Sequence, residues 1–195
     1  GFDMFHQFKN QGSETVAAKA MEFLDSRDAS RPYFLYLHFM DPHGPYIKHE
    51  PMFSACIEKL GKSKQNRVRC RYASEITVVD KVIGALVEKY GWKDNALLFI
   101  TSDHGEEFWE HGDRGHGQSV YRELIHVPLL VRSPGCRIGR VDSHVSSMDI
   151  LPTIADSVGL PENESWQGQS LLRYCGQVSG TGESRDIYSE RLQFD

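Results

Sequence analysis

The chain has 195 residues, 39% of them hydrophobic and 25% charged, which is enough ordinary globular sequence to bury one sizeable core, as one domain or a large piece of one. A formal charge of −5, with 22 basic residues spread along the chain, gives no basic stripe for a phosphate backbone, so no nucleic-acid partner is expected. The longest apolar runs, residues 96–100 and 127–131, are strand-sized and far short of the run of about 20 that a bilayer-spanning helix needs.

The opening Gly1-Phe2-Asp3-Met4-Phe5-His6 has neither the basic nor the apolar region of a signal peptide and does not begin with Met, so the natural N-terminus is expected to lie upstream. Ser13 reads as the cap of a helix running to about Ser26, in which Val16, Ala17, Ala20, Phe23 and Leu24 recur at helical spacing. After the break at Arg31-Pro32, the almost unbroken apolar and aromatic run from Tyr33 to Phe39 predicts a strand buried on both faces. Two prolines and a glycine in Asp41-Pro42-His43-Gly44-Pro45 then enforce a loop.

From about Asn66 to Tyr90, apolar residues at 68, 72, 76, 79, 82, 83, 86, 87 and 90 predict a long amphipathic helix that Gly91 stops. Residues 96–101 and 127–132 predict two more buried strands, and Asp149 the cap of a last helix that ends at Gly159-Leu160-Pro161. Buried strands separated by helices argue for an α/β fold with a mostly parallel sheet sandwiched by helices. Cys56, Cys70, Cys136 and Cys175 are widely spaced with no Cys-x-x-Cys pair, and are read as buried or free thiols that leave the compartment undecided. The basic run from Lys59 to Arg71 reads as a solvated face leading into the long helix, with steering of an anionic substrate as the alternative.

Ligands of open α/β sheets gather outside the carboxyl ends of the strands, and two polar clusters fall at such places. One strand delivers His38 and His43; the other delivers Ser102-Asp103-His104-Gly105, where the glycine is expected to let the chain bend sharply. From spacing alone, Asp103 could equally cap a following helix while His104 faces solvent. However, Glu106, Glu107, Glu110-His111-Gly112 and Gly115-His116-Gly117 follow at once, putting three histidines and several carboxylates in one glycine-rich segment. Carboxylate with imidazole suits a cation, and further imidazoles suit binding or protonation of an ester oxygen.

Four segments then carry a resemblance: Pro32-Tyr33-Phe34-Leu35 to His43-Gly44-Pro45-Tyr46; Thr101-Ser102-Asp103-His104-Gly105-Glu106 with Glu110-His111-Gly112; Val127-Pro128-Leu129-Leu130 with Pro134-Gly135; and Met148-Asp149-Ile150-Leu151-Pro152-Thr153. In this order, over about residues 1–172, they resemble the sulfatase family of the alkaline phosphatase superfamily. The resemblance implies an alkaline phosphatase-like fold, incomplete at its N-terminus, with residues 173–195 as the start of a C-terminal extension. It implies that Asp103 and His104 bind a divalent cation, calcium in sulfatases, with zinc or manganese as alternatives. It also gives His43 the role of protonating the leaving oxygen and implies a small-molecule or glycan sulfate ester as substrate, in a periplasmic, secreted or lysosomal protein. His38 could equally be a hydrogen-bonded core histidine, and His111 is read as the partner of a nearby carboxylate.

Two departures qualify the resemblance. The sulfatase nucleophile is a Cys, converted to formylglycine, in Cys-x-Pro-Ser-Arg; none occurs here, and Cys136-Arg137-Ile138-Gly139-Arg140 matches only its Cys and Arg. The paired N-terminal aspartates of the cation site are also absent, so this chain alone is expected to be inactive. At His116, where many sulfatases carry Lys, the His-Gly pair resembles zinc-dependent phosphoethanolamine transferases. The expectation is therefore a metal-dependent sulfuric ester hydrolase in which His116 binds the transferring group. A zinc-dependent phosphotransferase or phosphodiesterase, and a non-catalytic fragment, are the alternatives.

Overall fold

The computed structural model describes residues 2–8, 11–176, 179–180 and 185–191. It divides into two compact units, residues 1–90 and 91–195.

The first unit is built from helices. Helix α1 (Ser13–Ser26) buries Val16, Ala17, Ala20 and Leu24, the apolar stripe that its spacing predicts. Ser13 is not its cap. Gly12 holds that position, and the Asp41 carboxylate accepts the Ser13 N–H at 2.8 Å, so a residue distant in sequence satisfies a helix-end donor. Helices α2 (Met52–Leu60) and α3 (Lys64–Tyr90) form a hairpin cross-linked by a Cys56–Cys70 disulfide, with Cα atoms 5.5 Å apart. Helix α2 went unpredicted because its nine residues lie beside prolines and carry only one buried side chain, Phe53. Gly91, at φ 64°, ends α3 as expected. The buried positions of α3 differ from the predicted stripe: Cys70, Ser74, Glu75 and Leu86 are inside, whereas Ile76 is 44% exposed.

Residues 33–39 form no strand, and Phe34 and Tyr36 are 58% and 67% exposed. An extended chain becomes a strand only where a neighbour completes its hydrogen-bond ladder. Among the described residues none does so here.

In the second unit, short helix α4 (Trp92–Asn95) leads into β1 (Leu98–Thr101), which pairs antiparallel with β4 (Leu129–Arg132) from Leu98 opposite Arg132 to Thr101 opposite Leu129. Strands β2 (Glu107–Phe108) and β3 (Arg114–Gly115) form a small antiparallel hairpin, α5 (Arg122–Ile125) follows, and β5 (Arg140–Val141) pairs in parallel with β6 (Ser179–Gly180). The expected mostly parallel sheet is thus represented, among the described residues, by three two-stranded pairs, of which only β5 and β6 are parallel. The sequence located the strands at 98 and 129 to within two residues. Direction depends on strand neighbours, and apolar runs do not encode them.

Helix α6 (Ile150–Ser157) is preceded by a 3-10 turn, Ser147–Asp149. Asp149 is buried and turns back to complete a capping box with Ser146, while its other oxygen accepts the Gln169 N–H at 2.9 Å. Thr153, also buried, donates to Asp149 O at 2.6 Å and accepts the Leu171 N–H at 2.8 Å. The Met148–Thr153 motif is therefore a fastening between α6 and the 169–171 segment. Beyond it, Cys175 is bonded to Cys136 and Arg185 donates to Asp149.

Candidate metal centre

Strand β1 ends at Thr101, whose hydroxyl donates to Pro128 O at 2.9 Å, and the chain then turns through residues 102–105. Ser102 Oγ donates to His104 O at 2.6 Å, and the His104 backbone N–H donates to Asp103 Oδ1 at 3.0 Å. No helix follows, so Asp103 is not a helix cap; the next element is the β2–β3 hairpin. Gly105 matters through contact, not through an unusual bend. Its N–H donates to Leu124 O at 2.7 Å, and a Cβ at this position would lie 2.0 Å from the Glu123 carbonyl oxygen. The loop can press against α5 only without a side chain.

The two candidate ligands converge. His104 Nε2 lies 3.8 Å from Asp103 Oδ1, and the two side chains are 41% and 67% exposed. Metal–ligand distances of about 2.0–2.6 Å let one cation touch both atoms at that separation. The geometry also suits ligation: His104 Nδ1 is 2.8 Å from Gly105 O, and because a carbonyl only accepts, Nδ1 carries a proton, which leaves Nε2 as the nitrogen that can turn a lone pair to a cation.

His116 joins them. Its ring stacks on that of His104 with centroids 3.9 Å apart and a 30° interplanar angle, and its Nδ1 lies 3.1 Å from Oε1 of Glu106, a nearly buried carboxylate. A carboxylate on Nδ1 orients an imidazole and raises the basicity of its other nitrogen. Asp103, His104 and His116 therefore form one cluster. His43 belongs to the other unit, where it is exposed and its Nδ1–H donates to Gly44 O at 2.8 Å. His38 is exposed as well, 3.3 Å from the Tyr36 hydroxyl, which does not match the core-histidine alternative of its two readings.

His111 pairs with a carboxylate as expected: Nδ1 lies 2.5 Å from Glu123 Oε1, and the ring stacks on Tyr121 at 3.6 Å. The Glu123 carboxyl is held below its ordinary value by its own backbone N–H and by His111, against an opposing effect of burial. Glu107, His111 and Glu123 bring donor atoms within 4.8 Å of one another, close enough for an ion. However, buried Glu107 already accepts the N–H groups of His111 and Asp113 at 3.1 Å each and Gln118 Nε2 at 3.0 Å. Three of its roughly four lone-pair sites are thus engaged in shaping the 107–118 loop.

The cysteines differ from their reading as thiols, because the four form two disulfides. Cys136 is bonded to Cys175, which rules out conversion of Cys136 to an aldehyde nucleophile. Linear spacing could not reveal these pairs, 14 and 39 residues apart, because the hairpin and loop that join them are tertiary features.

The fold and this loop define a partial α/β domain of the alkaline phosphatase-like class. The sequence profile of the Sulfatase family matches residues 3–160, and the chain belongs to that family. Among curated relatives, it is 31% identical over 157 residues to an endo-4-O-sulfatase of Bacteroides thetaiotaomicron, covering 70% of this chain and 31% of that protein. It is 30% identical over 140 residues to arylsulfatase K of Homo sapiens, covering 70% and 25%. The chain thus spans between a quarter and a third of the length of these relatives. Among solved structures, it matches a Bacteroides thetaiotaomicron protein described under the metabolism of multiple glycosaminoglycans, with TM-score 0.61, 25% identity and coverage of 84% of this chain and 38% of the other. It also matches a phosphonate monoester hydrolase from Silicibacter pomeroyi, with TM-score 0.54, 30% identity and coverage of 67% and 26%.

Proposed function

We propose that the protein containing this chain hydrolyses sulfuric esters, with sulfated glycans as the substrate class, at a divalent cation held in part by Asp103 and His104. The observation that carries this reading is the approach of Asp103 Oδ1 and His104 Nε2 to 3.8 Å, with the His104 Nδ1 proton donated to Gly105 O. When bound, the cation would neutralise charge on the ester oxygens of the substrate. His116, oriented by Glu106, binds the transferring group. His43, protonated, gives its proton to the departing alcohol oxygen. The nucleophile comes from a segment outside these residues, where sulfatases carry formylglycine, and the sheet of the intact domain supplies residues 33–39 with strand neighbours. The glycan substrate is supported by the names of the endo-4-O-sulfatase and glycosaminoglycan-metabolism relatives. Two disulfides support an oxidising compartment.

A second reading, phosphoryl or phosphonyl ester hydrolysis with zinc, is favoured by His116 and by the likeness to the phosphonate monoester hydrolase. Metal exchange in the intact protein separates the two. Chelation is expected to abolish turnover, with calcium restoring it for a sulfatase and zinc or manganese for a phosphohydrolase, while Asp103→Asn reproduces the chelated state. Full activity in metal-free protein would refute the site.

A further inference from the structure

Glu75 is a buried ionisable group with no part in the proposed reaction. It stands in the middle of α3, 2% exposed, and its Oε2 has no hydrogen-bond partner. Burial pushes its carboxyl above the ordinary value, opposed by the Ile47 N–H bond; Asp41 pushes it further up, and His49 and the backbone N–H of His43 act against that rise. A buried carboxylate with one unmatched oxygen costs stability, and an apolar side chain would fill the place with less penalty. Stability therefore does not account for a glutamate here.

What Glu75 holds is the loop that carries His43. Its Oε1 accepts the Ile47 N–H at 2.6 Å, and next to it Ser74 Oγ accepts the His49 N–H at 3.2 Å. At the other end of the loop, Asp41 is fastened to the start of α1 through Ser13 N–H. His43 thus lies between an anchor on α1 and an anchor on α3, on a segment with no strand or helix of its own.

We propose that Glu75 is a positioning residue that holds the 41–49 loop so that His43 meets the leaving oxygen. The proposal rests on the general-acid reading of His43. Proton transfer depends on placement, and an error of about 1 Å can cost about 10²-fold in rate.

The test uses the full-length protein and Glu75→Met, which keeps the length of the side chain and suits an apolar interior. Because Ile47 is 62% exposed, its released N–H can turn to water, so the variant should fold with a Tm at or above that of the parent. Turnover of an alkyl sulfate should fall about 10- to 10²-fold, and that of a nitrophenyl sulfate, which needs no acid, much less. In a His43→Ala background, Glu75→Met should cause no further loss, because two residues acting through one proton transfer are not additive. Equal losses on both esters, an additive loss in the double variant, unchanged turnover, or a variant that cannot fold would each overturn the proposal. If His43→Ala itself slows both esters equally, the general-acid reading fails and takes this proposal with it. If His43→Ala is selective and Glu75→Met is not, only the role of Glu75 fails.

Discussion

Replacing Asp149 by Ala tests the fastening that organises the second unit. The carboxylate is fully buried; it accepts the Ser146 N–H at 2.8 Å on Oδ2 and the Gln169 N–H at 2.9 Å on Oδ1, and it receives the guanidinium of Arg185, itself only 19% exposed. Hydrogen bonds to a charged acceptor are worth about 1.5–3 kcal/mol each, and removing one partner of a buried ion pair costs about 3–5 kcal/mol because the other charge is stranded. These contributions overlap, so Asp149→Ala should cost about 3–5 kcal/mol, or about 10 °C in Tm for a domain of this size. Asp149→Asn should recover only part of this, since its amide NH2 must face a donor whichever way it turns. Burial acts to raise the Asp149 carboxyl, but Arg185 and the Ser146 and Gln169 N–H groups overcome it and hold the pKa below the ordinary 3.8. A depressed native pKa contributes stability above the ordinary value and loses it as pH falls from there through the lowered value. The Tm gap between parent and Asp149→Asn should therefore close below about pH 4. Calorimetry of parent and variants from pH 3 to 8 makes the measurement. A loss under about 1 kcal/mol for Asp149→Ala at pH 7 would show that the network is not coupled as described.

Gly105→Ala places a Cβ 2.0 Å from Glu123 O, so backbone must move; about 1–3 kcal/mol of stability should be lost together with weaker metal binding, followed by Tm and by titration of the metal-free protein. Replacing Cys56 and Cys70 by Ser opens a link across 14 residues and should cost about 3 kcal/mol, whereas the pair at 136 and 175, across 39 residues, should cost about 4; reducing and non-reducing denaturant melts measure both.

The local parts of the fold were legible because they depend on near neighbours in sequence. Helix α1, the length of α3, its glycine stop and the two longer strands follow from periodicity and apolar runs. Partnership was not legible. Nothing in a linear pattern says that Asp41, not Ser13, satisfies the start of α1, that β1 and β4 run antiparallel, or that four cysteines form two pairs. The same divide runs through the site. Asp103, His104 and His116 stood out as candidates because they crowd one glycine-rich segment, whereas Glu75, 28 residues from the backbone group it holds, gave no such signal. Its one signal was a carboxylate beside an alanine and a serine in the middle of a helix otherwise patterned to be apolar on one face.

The carboxylates sort themselves by what their oxygens already accept, and this narrows which of them can serve a cation. Asp41 takes the N–H of Ser13, Glu75 that of Ile47, Glu107 those of His111 and Asp113, and Asp149 those of Ser146 and Gln169. Glu75, Glu107 and Asp149 are each 2% exposed or less. In a protein whose described strands are short, loops fixed by backbone-to-carboxylate bonds replace part of what longer ladders would supply. Such a carboxylate meets a metal only by giving up a backbone donor, at about 1–3 kcal/mol for each donor that is then left buried and out of reach of water. Asp103 differs. It is 67% exposed, and its Oδ1 accepts the backbone N–H of the adjacent His104, whose ring nitrogen lies 3.8 Å from the same oxygen. A cation approaching Oδ1 and Nε2 there strands no distant segment. Asp103, like Asp113, whose Oδ1 takes the N–H of the adjacent Arg114, can be ligated at less cost to the fold than buried Glu107, which supports the proposal that Asp103 rather than Glu107 holds the cation.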